Sequence, residues 1–197
     1  SAPADTFEPD TVTPTDTVSA DTTSDTRPAK GADAGEFWNT YYYLADESGY
    51  SGADDTKLYD AQCQPIADVP SEFADDACIE GSARLEDGTV INYDEPCSCG
   101  PCSFCWAEMD PSTHPWGMGS KGNALVPLRS WAVDTDQLSF GTVVDVEAWD
   151  GVDIPKVGEL GGFTHHGCFR ADDIGGGIDG DHFDLFAGTP AMHQKLE

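Results

Sequence analysis

Apolar positions fall into short runs broken by glycine, proline and aspartate, and no long amphipathic helix can be read from them. The aromatic-rich stretch from Phe37 to Leu44 predicts a strand, and Ala83–Leu85 and Thr89–Tyr93 predict two short ones. Beyond Gly122 the texture changes. An apolar run from Ala124 to Leu128 is followed by Ser130–Val133, which leads into Asp134. Thr142–Ala148 alternates cleanly, as a half-buried strand does. Phe163–Phe169 and His182–Phe186 are further strands, separated by the glycines from Gly175 to Gly177. Many short strands with glycine punctuation predict an all-β barrel or sandwich. Residues 1–35 differ in kind, being mostly Thr, Asp, Ser, Pro and Ala with Phe7 as the single aromatic. Such a segment buries too little to offset its ordering entropy and predicts a disordered acidic tether.

Charge narrows the partners. Thirty-seven acidic residues face nine Lys and Arg, a formal net charge of -28. That surface repels phosphate backbones and anionic membranes, so nucleic acid is excluded as a partner. No apolar run is long enough to span a bilayer, and no signal peptide is expected at the polar start. Six of the seven cysteines lie between Gly49 and Gly122, four of them as C-x-C-x2-C-x2-C at Cys97, Cys99, Cys102 and Cys105, with Cys63 and Cys78 before them and Cys168 far beyond. All seven are disulfide candidates, with one left over. Paired C-x2-C can also grip zinc, but zinc sites draw their pairs from separated places. No metal is expected there, nor at His165-His166-x-Cys168, because adjacent strand positions face opposite ways. The compartment implied is oxidising.

Two stretches carry a family resemblance. One runs from Arg129 through A-V-D at Asp134 to G-T-V-V at Gly141–Val144; the other runs from Asp173 through I-G-G-G-I-D-G to His182-Phe183-Asp184-Leu185-Phe186. Together they resemble the 3D (three-aspartate) domain, whose namesake aspartates fall on Asp134, Asp173 and Asp184. The T-x-Y of that family's first strand is matched by Thr40-Tyr41-Tyr42. The resemblance implies a six-stranded double-psi β-barrel over 36–190; the Cys-rich block at 60–122, which the family pattern does not need, is expected as a loop insertion, and 191–197 as a tail in which Leu196 and Glu197 have no assigned role. The same barrel serves the membrane-bound lytic transglycosylase A family, the expansins (through the His-Phe-Asp) and the family 45 glycoside hydrolases.

The residues can also be read physically. Alternation along His182–Phe186 puts Phe183 and Leu185 on one face and His182 and Asp184 on the other. Glycines 175–177 can adopt backbone angles closed to other residues, and such a crossing would return Asp173 to the side of Asp184. Two carboxyls sharing a site do not both ionise easily, and a protonated aspartate is what glycosidic cleavage needs. By resemblance, Asp184 is the acid and base, with Asp173 and Thr40 orienting it. Tyr42, Trp131 and Trp149 are candidates for stacking on sugar rings, and His182, Asp134, Gly175 and Gly176 are further substrate-binding candidates. Asp134 is expected chiefly to fix a loop.

The function implied is lytic cleavage of peptidoglycan by a monomeric bacterial protein, without a cofactor. It would be secreted or anchored to the envelope, in the periplasm or as an outer-membrane lipoprotein. The alternatives are a non-catalytic expansin-like wall binder, a family 45-like β-1,4-glucanase that would need Asp134 as second acid, and a protease inhibitor on the same barrel. The partner in the first three is a cell-wall polysaccharide, peptidoglycan or β-glucan.

Overall fold

A computed structural model describes residues 31–197. The chain divides into Ser1–Asp33 and Ala34–Glu197, and every element below belongs to the second unit. The expected disordered tether falls, through residue 30, outside the described residues. In chain order the elements are β1 (Trp38–Tyr43), β2 (Ala45–Asp46), β3 (Thr56–Tyr59), β4 (Pro65–Val69), α1 (Ser71–Glu80), β5 (Ser82–Arg84), β6 (Val90–Pro96) and β7 (Phe104–Glu108). There follow β8 (Ser130–Val133), β9 (Val143–Ile154), β10 (Phe163–Asp173), β11 (His182–Gly188) and α2 (Pro190–Leu196).

The strands form a five-stranded sheet ordered β1-β11-β8-β10-β9, a four-stranded sheet β2-β5-β6-β7 and a hairpin β3-β4. In the large sheet β1 runs parallel to β11 and β8 parallel to β10, while β11–β8 and β10–β9 are antiparallel. The fold is therefore mostly β, with the large sheet curled like half a barrel.

Alternation sorts the large sheet into two faces. Trp131, Val133, Phe169, Ala171, Phe183 and Leu185 share one core, in which the Trp131 ring stacks on Phe169 and on Phe183. On the other face Tyr42, Leu44, Ala132 and Phe186 pack with Val90 and Leu125, joining the sheet to the Cys-rich region.

That region is not the loop insertion the sequence suggested. It is a lobe with its own core of Leu58, Val69, Phe73, Ala77, Ile91 and Trp106, built on the second sheet, the hairpin and α1. Disulfides Cys63–Cys99, Cys78–Cys102 and Cys97–Cys105 tie hairpin, helix and β7 together, leaving Cys168 as a free thiol. Helix α1 is too short for a periodic signal. Pro70 precedes it, Gly81 ends it in left-handed backbone with its N–H on Ala77 O, and only Phe73, Ala74 and Ala77 are buried. The expected C-terminal tail is likewise a helix. Thr189 caps α2 by accepting the Met192 N–H, and Met192 is fully buried with Leu128, Ile154 and Ala187. Leu196 packs against the same cluster, so it belongs to the fold.

Candidate active site

Register assembles the site. Thr40 lies opposite Asp184, Asp184 opposite Ala132, and Ala132 opposite Asp173, so these four residues form one row across four neighbouring strands. Register partners share a face, and two strand spacings put the backbones of the two aspartates about 10 Å apart. Thr40, Asp173 and Asp184 remain partly exposed, whereas Ala132 between them is buried and offers only a methyl group.

A bulge completes the arrangement. Strand β10 shifts register between Ala171 and Asp173, so Ala171 pairs with Trp131 and Asp173 with Ala132. The extra residue, Asp172, is buried and accepts a hydrogen bond from Ser130 Oγ at 2.6 Å, with Arg170 Nε 2.9 Å from its other oxygen. Ser130 and Ala132 share a face of β8, and thus both aspartates turn to the same side. Glycines 175–177 act differently from expectation, since none of them has positive φ. Gly175 is small because a Cβ there would lie 2.7 Å from Ile178 Cγ1. Strand pairing and the bulge, rather than a glycine crossing, bring the carboxylates to one row.

The two aspartates are chemically unequal. Asp173 is saturated with donors: Oδ1 accepts from Ser120 N (3.1 Å), Ser120 Oγ and Ile174 N (2.9 Å), and Oδ2 accepts from Tyr42 Oη (3.3 Å). Burial pushes its carboxyl up, and those hydrogen bonds pull it back. Asp184 has Thr40 Oγ1 as its donor, 2.7 Å from Oδ1. Among the described residues its Oδ2 accepts nothing. Burial is again the largest cause of a raised pKa, opposed by the Thr40 hydrogen bond and by the charges of His182 and His193, and reinforced by Asp173. Asp184 thus combines retained acidity with a free oxygen. Tyr42, buried and packed on Phe186, is held well above the usual phenol range by burial first and then by Asp173 and Asp184, so it keeps its proton and donates.

The other expected site residues are placed as follows. Asp134 accepts the N–H of Asp136 at 2.9 Å and of Gly180 at 2.8 Å, which lowers its pKa and pins the end of β8 to the loop before β11. Trp131 is buried in the opposite core, 1% exposed, and cannot meet a sugar. Trp149 packs edge-on against Phe169 and His165 on that same face, away from the row. His182, expected to look outward, is buried under the indole of Trp38, ring centroids 3.5 Å apart and planes 8° apart. Gly176 is open to solvent. His165 is buried, with one ring nitrogen bonded to Leu128 O and the other accepting from Gly167 N.

Trp38 is the residue that sequence reasoning missed. It sits opposite His182, two residues along β1 from Thr40, and is 58% exposed with one ring face against the imidazole. Its parity with Thr40 and Tyr42 was the available signal. Ser120, on the loop from the lobe, was invisible because its partner is 53 residues away.

Residues 129–196 match the family model of the 3D domain. Among solved structures, that of Escherichia coli MltA with bound chitohexaose aligns over 80% of this chain and 67% of its own at 13% identity, with a TM-score of 0.51. A second MltA structure from the same organism, described as a unique lytic transglycosylase fold, gives 15% identity over 79% and 66% at 0.43. LtgG, a lytic transglycosylase of Burkholderia pseudomallei, gives 16% over 79% and 66% at 0.39. The chain thus spans about two thirds of these proteins and shares the fold of MltA. No curated protein matches it by sequence. Over residues 129–196, then, this chain is similar to the 3D domain.

Proposed function

We propose that the chain cleaves the glycan of bacterial peptidoglycan as a lytic transglycosylase, with Asp184 as the single acid and base. The observation that carries this reading is the row Thr40–Asp184–Ala132–Asp173, in which burial raises both carboxyls but only Asp184 keeps an oxygen free of hydrogen bonds among the described residues. Asp184 Oδ2 gives its proton to the glycosidic oxygen as the bond to C1 breaks. The carboxylate left behind takes the proton of the sugar's own C6 hydroxyl, whose oxygen bonds to C1 and closes a 1,6-anhydro ring. No water enters. Thr40 holds the acid in place through its hydrogen bond, the Asp173 charge helps to raise its pKa, and the open face of Trp38 offers a flat apolar surface to a pyranose ring. The 3D match and the MltA fold support the same reading, and MltA is the protein seen with chitohexaose.

Finer points follow from it. The sheet is read as part of a six-stranded double-psi barrel, supported by its two parallel pairings. The Cys-rich lobe is read as the second wall of the groove, a reading supported by the loop after it, whose Ser120 reaches Asp173. Three disulfides fit secretion or envelope anchoring. A family 45-like hydrolase is disfavoured because both oxygens of Asp134 are committed to backbone N–H groups.

The test is digestion of purified sacculi followed by mass spectrometry. The parent chain should release anhydro-muropeptides, and Asp184→Asn should release none. Binding of sacculi without any product, unchanged in Asp184→Asn, would replace this reading with a non-catalytic expansin-like binder.

A further inference from the structure

Two of the three disulfides of the lobe meet. Cys63–Cys99 joins the turn of the β3–β4 hairpin to the connection between β6 and β7, and Cys97–Cys105 fastens that same connection to β7. Cys105 Sγ lies 4.0 Å from Cys99 Sγ, which belongs to the other bridge, and the sulfurs of Cys97, Cys99 and Cys105 all lie within 4.8 Å of one another. Cys78–Cys102, the third bridge, contributes no sulfur to this group.

Exposure is graded along the four residues. Cys63 is exposed at the hairpin turn, Cys97 and Cys99 are half-buried, and Cys105 is fully buried. A disulfide opens when a thiolate attacks one of its sulfurs, and access governs which sulfur is attacked first. From solvent that sulfur is Cys63. The attack expels Cys99, which then rests against Cys105 of an intact bridge. A nucleophile already held in contact reacts ahead of a second thiol arriving from solution.

We propose that Cys63, Cys99, Cys105 and Cys97 form a thiol-exchange site, entered at Cys63 by a small thiol and relayed inward through Cys99. In the first step the Cys63–Cys99 bond breaks, the incoming sulfur bonds to Cys63, and the electron pair stays on Cys99 as thiolate. In the second, Cys99 bonds to Cys105, the Cys97–Cys105 bond breaks, and the pair leaves on Cys97. One thiolate enters and one thiolate is released, so the two steps balance with the external thiol as the sole co-reactant. The hairpin turn loses its tether to the β6–β7 connection. That connection stays fastened to β7, now through Cys99 in place of Cys97. Modification at the surface is thereby converted into a changed bridge inside the lobe, and a half-buried Cys97 thiol becomes the product.

The proposal stands apart from the transglycosylase reading, and its test needs no glycan. Cys168, the free thiol, is first capped with iodoacetamide on the folded full chain. The chain is then treated briefly with 2-mercaptoethanol at pH 8, close to the range where thiols ionise. New thiols are trapped with N-ethylmaleimide, and bridges and labels are located by peptide fragmentation. The expected map has mercaptoethanol on Cys63, maleimide on Cys97 and a new Cys99–Cys105 bridge. Maleimide on Cys99 with Cys97–Cys105 intact overturns the relay. First opening at Cys78–Cys102 or at Cys97–Cys105 overturns the entry at Cys63. Replacing Cys63 and Cys99 together by serine removes the route, and labelling of Cys97 should then slow by about tenfold or more; labelling at the parent rate overturns the proposal. Should that variant not fold, the map of the parent chain decides alone, because the Cys99–Cys105 bridge is the product of exchange and is missing from the starting chain.

Discussion

Replacing Glu80 by glutamine is expected to stabilise the protein at alkaline pH and to change little near pH 4. Glu80 ends α1, and its Oε2 accepts the backbone N–H of Tyr43 at 2.9 Å, tying the helix of the lobe to the strand that carries Thr40. Burial first, then the Asp76 and Asp184 carboxylates, push its carboxyl from 4.5 to about 8, against the pull of the Tyr43 hydrogen bond. A carboxyl raised in this way holds a proton in the folded chain at pH values where the unfolded chain has lost it. Its stabilising contribution is complete below about pH 4.5 and is lost as pH climbs through about 8. At about 1.4 kcal/mol per pH unit, and discounting for the solvent that reaches this half-buried side chain, the loss comes to ~4 kcal/mol. Glutamine keeps an acceptor for Tyr43 and never ionises. Urea unfolding at pH 5, 7 and 9, with disulfides intact, measures the difference between variant and parent. It should widen from under about 1 kcal/mol at pH 5 to about 3–4 kcal/mol at pH 9. A difference that stays flat or narrows with pH would refute a protonated Glu80 at this junction.

Three further outcomes are expected. Trp38→Ala should raise KM for glycan fragments about tenfold with kcat little changed, since a stacked aromatic contributes about 0.5–1.5 kcal/mol; steady-state kinetics on a defined oligomer series checks it. Gly119→Ala should lower stability by about 1–3 kcal/mol in thermal unfolding and slow turnover, because the new Cβ would lie 2.3 Å from Asp172 O and displace the loop that sets Ser120 on Asp173. Replacing Cys78 and Cys102 together by serine opens a bridge of sequence separation 24 and should cost about 3 kcal/mol in urea unfolding.

The large sheet was legible because its strands alternate and carry a motif. Thr40, Asp173 and Asp184 could be named from spacing together with family resemblance. Their common row could not, since it depends on a bulge at Asp172 that leaves no mark in the alternation of β10. Trp131 shows the limit of residue type as a guide: an aromatic beside a motif is as suited to a core as to a sugar, and here Phe169 and Phe183 hold it. Helices α1 and α2 were missed because each is short, although Pro70 and Gly81 bracket the first and Thr189-Pro190 opens the second. The lobe was read as loops because its core gathers one residue each from six strands and three from α1, and no one segment among them shows a full pattern.

Thr40 and Asp184 are 144 positions apart, on strands that lie side by side in parallel. A chain emerging from the ribosome cannot join them until almost everything between has been made, and closing so long a loop belongs to the slow end of folding. Fragments ending before β11 would carry the lobe and its bridges but no acid. Chemical competence therefore arrives last.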